Sequence, residues 1–286
     1  MENTLDIAIY SPDSVDKLAR LANSDNWSER LNVAGNSSAP AEVLNKLSKD
    51  EDFLIRFAVA GNPNTPVEVL VALAMSENWQ ILYKVAGNPN TPVEVLVALA
   101  TNEDSVLRSA VAENQSTPSG ELDALATDED KYVRCGVAVN PNTPYGVLDK
   151  LAGDDNWGVR RDVARNPNTP VETLDRLTTD EYWNVREAVA ENQSSPGGLL
   201  VMLSTDRNWR VRRNVAVNPN VSSEVLTKIS RDGSKNVRLA VASSKNSPAE
   251  VLERLANDKS KDVRDAVKSN ISTPEHIKVF LAVASE

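Results

Sequence analysis

A fifteen-residue string, AGNPNTPVEVLVALA, occupies residues 60–74 and recurs unchanged at residues 86–100. Self-similarity at a fixed period confines a chain to stacked-repeat architectures more tightly than composition does. The 26-residue frame runs through the whole sequence without insertion, and eleven units fit, the last incomplete. A proline slot holds Pro40, Pro66, Pro92, Pro118, Pro144, Pro170, Pro196, Pro248 and Pro274, with Ser14 and Ser222 in the two remaining places. Leucine follows four residues later, from Leu18 to Leu252, with Lys278 the one departure. A second leucine, Leu21 to Leu281, comes three further on, with Ile229 the one substitution. An Arg slot (Arg30 to Arg264, broken at Leu82), a Val slot (Val33 to Val267), an Ala and an Asn close the unit.

Each unit reads as two short helices. The first opens with Thr-Pro-x-Glu, as at Thr65-Pro66-Val67-Glu68. Thr is expected to cap, Pro to occupy the first helical position and Glu to close a capping box. Val69, Leu70, Leu73 and Ala74 then recur on one helical face. The second helix is typified by residues 154–164, where an Asp/Asn cluster supplies the cap and Val159, Val163 and Ala164 form the apolar side. Asn166-Pro167-Asn168-Thr169-Pro170 ends it, because two closely spaced prolines stop a helix. Helices this short are unstable alone, below the roughly 12–15 residues an isolated helix needs. Neighbouring units must therefore hold them. No strand alternation occurs, so the expected fold is all-α, a solenoid of about eleven two-helix repeats.

The frame Val159-Arg160-Arg161-Asp162-Val163-Ala164-Arg165-Asn166-Pro167-Asn168-Thr169-Pro170, continuing to Asp180, resembles the leucine-rich repeat variant family, a relative of armadillo and HEAT solenoids. The resemblance spans residues 14 to about 281. It implies a right-handed α–α superhelix in which one helix per repeat is 3₁₀. The family's type member carries an iron–sulfur cluster in a cysteine-rich N-terminal segment; this sequence has one cysteine, Cys135, so no cluster and no other cofactor is expected. Residues 1–13 are assigned to an N-terminal cap, 14–274 to a single solenoid domain and 275–286 to a C-terminal cap, since terminal repeats need a modified outer face.

Enzymatic chemistry is not expected. His276 is the one histidine and stands at the Glu slot of the last unit. Cys135 has no histidine near it in sequence, no Cys/His metal spacing occurs, and the carboxylates recur at repeat slots as helix caps do. No apolar run reaches the roughly 18 residues of a membrane span, and Glu2 and Asp6 stand where a secretory leader would be basic. A cytoplasmic protein without membrane contact is the expectation. Asp stands six residues before the Arg slot in seven units, which predicts an Asp–Arg ladder between stacked units. The Asn slot is expected to satisfy loop backbone groups.

Recognition then falls to the variable slots of the second helix. With Val159 at zero and about 100° per residue, Val159, Arg160, Val163 and Ala164 define a buried arc. Positions 157, 161 and 165 turn outward as one stripe. Along the chain this stripe reads Trp27/Leu31/Gly35, Phe53/Phe57/Gly61 and Trp79/Tyr83/Gly87, then Ser105/Ser109/Glu113 and Lys131/Cys135/Val139. It continues with Trp157/Arg161/Arg165, Trp183/Glu187/Glu191, Trp209/Arg213/Val217 and Lys235/Leu239/Ser243. All five tryptophans share one slot. Trp, Tyr and Arg dominate binding hot spots, so the candidate partner-binding residues are Trp27, Leu31, Phe53, Phe57, Trp79, Tyr83, Trp157, Arg161, Trp183, Trp209 and Arg213, facing a protein or peptide.

Charge leaves two alternatives open. Residues 1–130 hold 8 basic and 21 acidic side chains, while residues 203–264 hold 13 basic and 7 acidic. The basic section could grip nucleic acid through Arg210, Arg213, Lys235 and Lys261, against an overall charge of −10. The first helices of repeats 3 and 4 carry Val67, Val69, Val71, Ala72 and Val93, Val95, Val97, Ala98, apolar nearly all round, which suits burial in a homodimer.

Overall fold

The computed structural model describes residues 12–283. Among the described residues all regular structure is α-helix, and the chain divides into two compact units, Met1–Pro144 and Tyr145–Glu286. In the first unit α1 (Pro12–Leu21), α3 (Ala41–Leu47), α5 (Val67–Leu73), α7 (Val93–Leu99) and α9 (Ser119–Leu125) alternate with α2 (Trp27–Ala34), α4 (Phe53–Gly61), α6 (Trp79–Ala86), α8 (Ser105–Glu113) and α10 (Lys131–Val139). The second unit repeats the scheme. Its first helices are α11 (Tyr145–Leu151), α13 (Val171–Leu177), α15 (Gly197–Leu203), α17 (Ser223–Ile229), α19 (Ala249–Leu255) and α21 (Glu275–Val283). Its second helices are α12 (Trp157–Arg165), α14 (Trp183–Glu191), α16 (Trp209–Val217), α18 (Lys235–Ser243) and α20 (Lys261–Ser269). Helix α1 starts inside the segment assigned to the N-terminal cap; residues 1–11 of that assignment, and 284–286 of the C-terminal one, lie outside the described residues.

Within each unit the second helices pack side by side in one continuous row, and each first helix packs against the second helices that flank it. Two layers result, with the core between them. Leu44, Leu70, Leu96 and Leu122 from the first helices meet Val59, Val85, Val111 and Val137 from the second, all fully buried. Each such side chain contributes about 1.5–3 kcal/mol. None of the seven-residue first helices could stand without it.

Three polar devices close the frame. The Asn88 amide donates to Ala60 O at 2.8 Å and Asn62 O at 2.9 Å, one repeat back. Its Oδ1 accepts the Asn90 N–H at 2.9 Å, which folds the Asn-Pro-Asn loop. Asn62, Asn114, Asn192 and Asn218 repeat this bridge. The predicted Asp–Arg ladder also forms. Arg30 grips the Asp50 carboxylate through Nε at 2.7 Å and Nη2 at 3.2 Å, while Arg56 Nη1 donates to the Asp50 carbonyl at 2.5 Å. Further rungs are Arg108–Asp128 in the first unit and Arg160–Asp180, Arg186–Asp206, Arg212–Asp232 and Arg238–Asp258 in the second. Finally, Asn or Asp caps most second helices, as Asn78 Oδ1 accepts the Gln80 N–H at 2.9 Å.

Two expectations change. The Thr of Thr-Pro-x-Glu does not cap the helix that follows it. Thr65 Oγ1 donates back to Val59 O at 2.5 Å, satisfying a carbonyl at the end of α4, and Pro66 stands at the N-cap with no side-chain bond. Thr65 is buried, and Val59 O, in the last turn of the preceding helix where it accepts the Asn62 N–H at 3.0 Å, has a second lone pair for the hydroxyl. Ser222, which replaces the proline, does cap α17, accepting the Val225 N–H at 3.3 Å. Among the described residues both helices of each repeat are α-helical; 3₁₀-type bonds occur at their ends, as in Val69 N to Pro66 O at 3.0 Å, and in the loops, as in Thr65 N to Asn62 O at 3.1 Å.

Candidate functional site

The stripe starts at the N-termini of the second helices. In the first unit Trp27 and Trp79 leave 50% and 54% of their surfaces open, and Phe53 and Tyr83 are also exposed. Leu31 and Phe57 are half-buried between the rings. Lys84 Nζ lies 5.0 Å from the centre of the Phe57 ring, a cation–π contact inside the stripe. At the far end of the stripe Gly61, Tyr83, Lys84, Gly87, Asn88 and Glu113 line a cleft of about 350 Å³. The glycines there are not demanded by the backbone. Gly35 and Gly87 have φ of −83° and −84°, ordinary values for any residue. A Cβ at either would sit 3.6 Å from its nearest neighbour, and one at Gly61 would meet only the flexible Lys84 stem.

In the second unit the same slots are occupied differently. Trp157, Trp183 and Trp209 are half-buried, and the chain's own cations cover them. Arg161 lies 5.4 Å over Trp157, and Arg210 lies 5.1 Å from Trp183 and 4.7 Å from Trp209. Trp157 also stacks on Tyr182 at 6.0 Å. Arg161 is paired with buried Asp162 (2.7 Å), and Arg213 donates to Asn214 at 3.0 Å. Glu187 is half-buried beside them. Burial first, and Glu191 second, push its carboxyl above the ordinary range against the pull of Arg165, Arg210 and Arg213.

Charge borders the stripe in the first unit. Asp25, Glu51, Glu77, Glu103 and Glu129 stand two residues before the ring slots, and all five are exposed. The unit holds 21 acidic and 10 basic residues, net −11; the second unit holds 20 and 21, net +1. No helix among the described residues is long and apolar enough to cross a membrane. Nor, among them, do three or more His, Cys, Asp or Glu side chains converge as metal ligands.

A family model and one solved structure agree with this frame. A family model, leucine rich repeat variant, matches residues 157–181. A solved structure described as a leucine-rich repeat variant with a novel repetitive protein structural motif is 27% identical. It covers 77% of this chain and 87% of its own, with a TM-score of 0.53. The chain is a repeat protein of the leucine-rich repeat variant type. The crystal structure of an engineered protein, 20% identical, covers 92% of this chain and 98% of its own at a TM-score of 0.39. No curated protein matches the chain.

In this repeat protein of the leucine-rich repeat variant type the near-constant slots are occupied with structure. Arg, Asp, Asn and Thr bond to the neighbouring repeat or to their own backbone, which leaves the stripe as the place where repeats differ. The cations of the basic section are partly engaged: Arg210 covers two indoles and Lys235 pairs with Asp262 at 2.8 Å, while Lys261 is exposed. On the first helices of repeats 3 and 4, Val67, Val71, Val93 and Val97 are exposed, whereas Val69 and Val95 face the core. His276 is exposed and Cys135 half-buried. The sequence reading missed one buried slot, held by Ala110, Gly136, Asp162, Ala188, Asn214 and Ala240. Its mostly small residues were the available signal, because second helices touch a neighbour on each side.

Proposed function

We propose that the protein is a non-catalytic scaffold that binds a protein or peptide along the aromatic stripe of its second helices. The single observation that carries this reading is the half-open state of Trp27 and Trp79. A folded chain gains by covering large aromatic surface, and rings left in water in a row are the usual mark of a surface that a partner covers. The glycines add to it: a Cβ would fit at Gly35 and Gly87, and glycine at 61 and 87 keeps the cleft beside Tyr83 open. Binding chemistry also accounts for the near-constant slots being used up in holding repeats together. Partner specificity is then written in residues whose exchange leaves the frame intact. The test is affinity capture from native extract with wild type and with Phe57→Ser, Trp79→Ser, Tyr83→Ser combined. Loss of a specific partner with helicity unchanged by circular dichroism supports the reading; equal capture by both proteins sinks it.

Self-association is the second reading, favoured by the exposed valines of α5 and α7. Light scattering at twice 31.1 kDa would support it. Nucleic-acid binding through residues 203–264 ranks below both, since Arg210 and Lys235 already have partners; retention on a polyanion column that weakens steeply with salt would revive it.

A further inference from the structure

The two units treat the same row of rings in opposite ways, and the contrast identifies the partner's chemistry. In the second unit guanidinium groups of the chain itself lie over Trp157, Trp183 and Trp209 at 4.7–5.4 Å. These cations come from the slot four residues after the ring (Arg161) and the slot one residue after it (Arg210), the latter also reaching the ring of the repeat before. In the first unit the corresponding slots around Trp27 hold Ser28, Leu31 and Leu54. Those around Trp79 hold Gln80, Tyr83 and Val106. None is cationic, and both indoles stay half exposed. The cations the first unit does place on rings lie elsewhere, Lys84 on Phe57 and Lys131 on Tyr132. Beside these rings runs the line of exposed carboxylates Asp25, Glu51, Glu77 and Glu103, one per repeat. In the second unit that line gives way to Asp155, Glu181, Arg207, Gly233 and Lys259. Half-open indoles next to exposed carboxylates are jointly complementary to one kind of group, an alkylammonium or guanidinium supplied from outside.

Resting on the scaffold reading above, we propose that the partner of the first unit is a lysine- or arginine-bearing extended segment lying across α2, α4 and α6. Its cationic side chains sit between the rings of Trp27, Phe53 and Trp79 and the carboxylates of Asp25, Glu51, Glu77 and Glu103. Spacing narrows the segment further. Packed helices stand about 8–10 Å apart, and a polyproline II chain returns the same face every three residues, about 9 Å. A cation at every third residue therefore meets one repeat after another, whereas a contiguous run places most of its charges off the rings.

The test uses the full chain and three synthetic twelve-residue peptides of Ser and Pro. One carries lysine at every third position, one glutamate at the same positions, and one four contiguous lysines. Binding is read by intrinsic tryptophan fluorescence and by calorimetry. The spaced lysine peptide is expected to bind, the glutamate peptide not to bind, and the contiguous peptide to bind about tenfold more weakly. Trp27→Ala with Trp79→Ala, and separately Glu51→Gln with Glu77→Gln, should each weaken binding about tenfold with circular dichroism unchanged; the second pair should also flatten the salt dependence. Equal affinity for the lysine and glutamate peptides overturns the proposal, as does lysine binding indifferent to Trp27 and Trp79. If the Phe57/Trp79/Tyr83 variant loses its partner from extract while the lysine peptide fails to bind wild type, the scaffold reading stands and this inference falls.

Discussion

Arg186 holds Asp206 across a repeat boundary, with Nε 2.5 Å from Oδ2 and Nη2 3.1 Å from Oδ1. Both side chains are less than a tenth exposed. The remaining guanidinium nitrogen, Nη1, donates to Asp180 O at 2.6 Å, so one residue ties its own repeat's loop to the next repeat's. Removing one member of such a pair strands the other. Arg186→Met is expected to cost about 3–5 kcal/mol. The sequence supplies its own control at Leu82 and Asn102, where the same two slots carry no charge and Asn102 Oδ1 still accepts the Asp104 N–H at 2.9 Å. Arg186→Leu combined with Asp206→Asn should therefore cost clearly less than Arg186→Met alone. Urea denaturation of the three proteins checks this, and a double variant as unstable as the single one would refute it.

The same rungs set the acid response. The Arg30 and Arg108 guanidinium groups hold Asp50 and Asp128 below the ordinary carboxylate range. At Asp206, Asp232 and Asp258 burial pushes the carboxyl up. The paired arginine and a backbone N–H outweigh it, and the net direction is again downward. A carboxylate whose folded pKa lies below its unfolded value, about 3.9, stabilises the fold fully above that value. The contribution is lost as pH falls through the folded pKa. Thermal midpoints should stay level from neutral pH to about pH 5 and then drop, with the drop shallower in the double variant that combines Arg186→Leu and Asp206→Asn. A midpoint that falls between pH 7 and pH 6 would contradict the assignment.

Burial decides what the asparagines are worth. Asn88 and Asn64 both reach back to the preceding repeat, Asn88 to two carbonyls inside and Asn64 to Ser37 O at 2.6 Å on the surface. Asn88→Ala takes the side-chain donor from the Ala60 carbonyl, while Asn62 O keeps the Thr65 N–H, at about 1–3 kcal/mol. Asn88→Asp should be worse, setting a carboxylate against two carbonyl oxygens. Asn64→Ala should shift stability by no more than about 0.5 kcal/mol, because water replaces the lost bond. Chemical denaturation separates the three.

These contrasts mark how far the sequence carries. The period exposed the two-helix unit, the leucine and valine core and the Arg–Asp pairing, because each occupies a fixed slot and fixed slots mean fixed neighbours. The Thr65 bond could not be read locally: a Thr before Pro looks like a cap, and the competing acceptor, Val59 O, becomes available only when the loop closes. The inward slot of Asp162 and Asn214 escaped for a related reason. The arc centred on Val159 and Arg160 describes contact with the first helices, and a helix flanked by two like helices buries a wider arc than that. The helical angle turned the tryptophan slot outward, but the difference in exposure among the indoles was not legible. Trp79 and Trp209 occupy one slot, and only the side chains that reach over them, Arg210 in one case and none of its counterparts in the other, separate a half-open ring from a covered one.

Glycine at positions 35 and 87 sets stability against binding. Both residues have right-handed backbone with room for a Cβ, so Gly35→Ala and Gly87→Ala should each stabilise the protein by about 0.4–1 kcal/mol by restricting the unfolded chain. A larger side chain at position 87 projects into the cleft beside Tyr83, which Glu113 already lines from the same slot of the next repeat, in α8. Gly87→Phe should therefore keep or raise the melting temperature while removing capture of the partner. A structural role for the glycine predicts the reverse, lower stability with binding intact. Measuring both quantities on one variant separates the two, because no loss of fold can imitate a more stable protein that no longer binds.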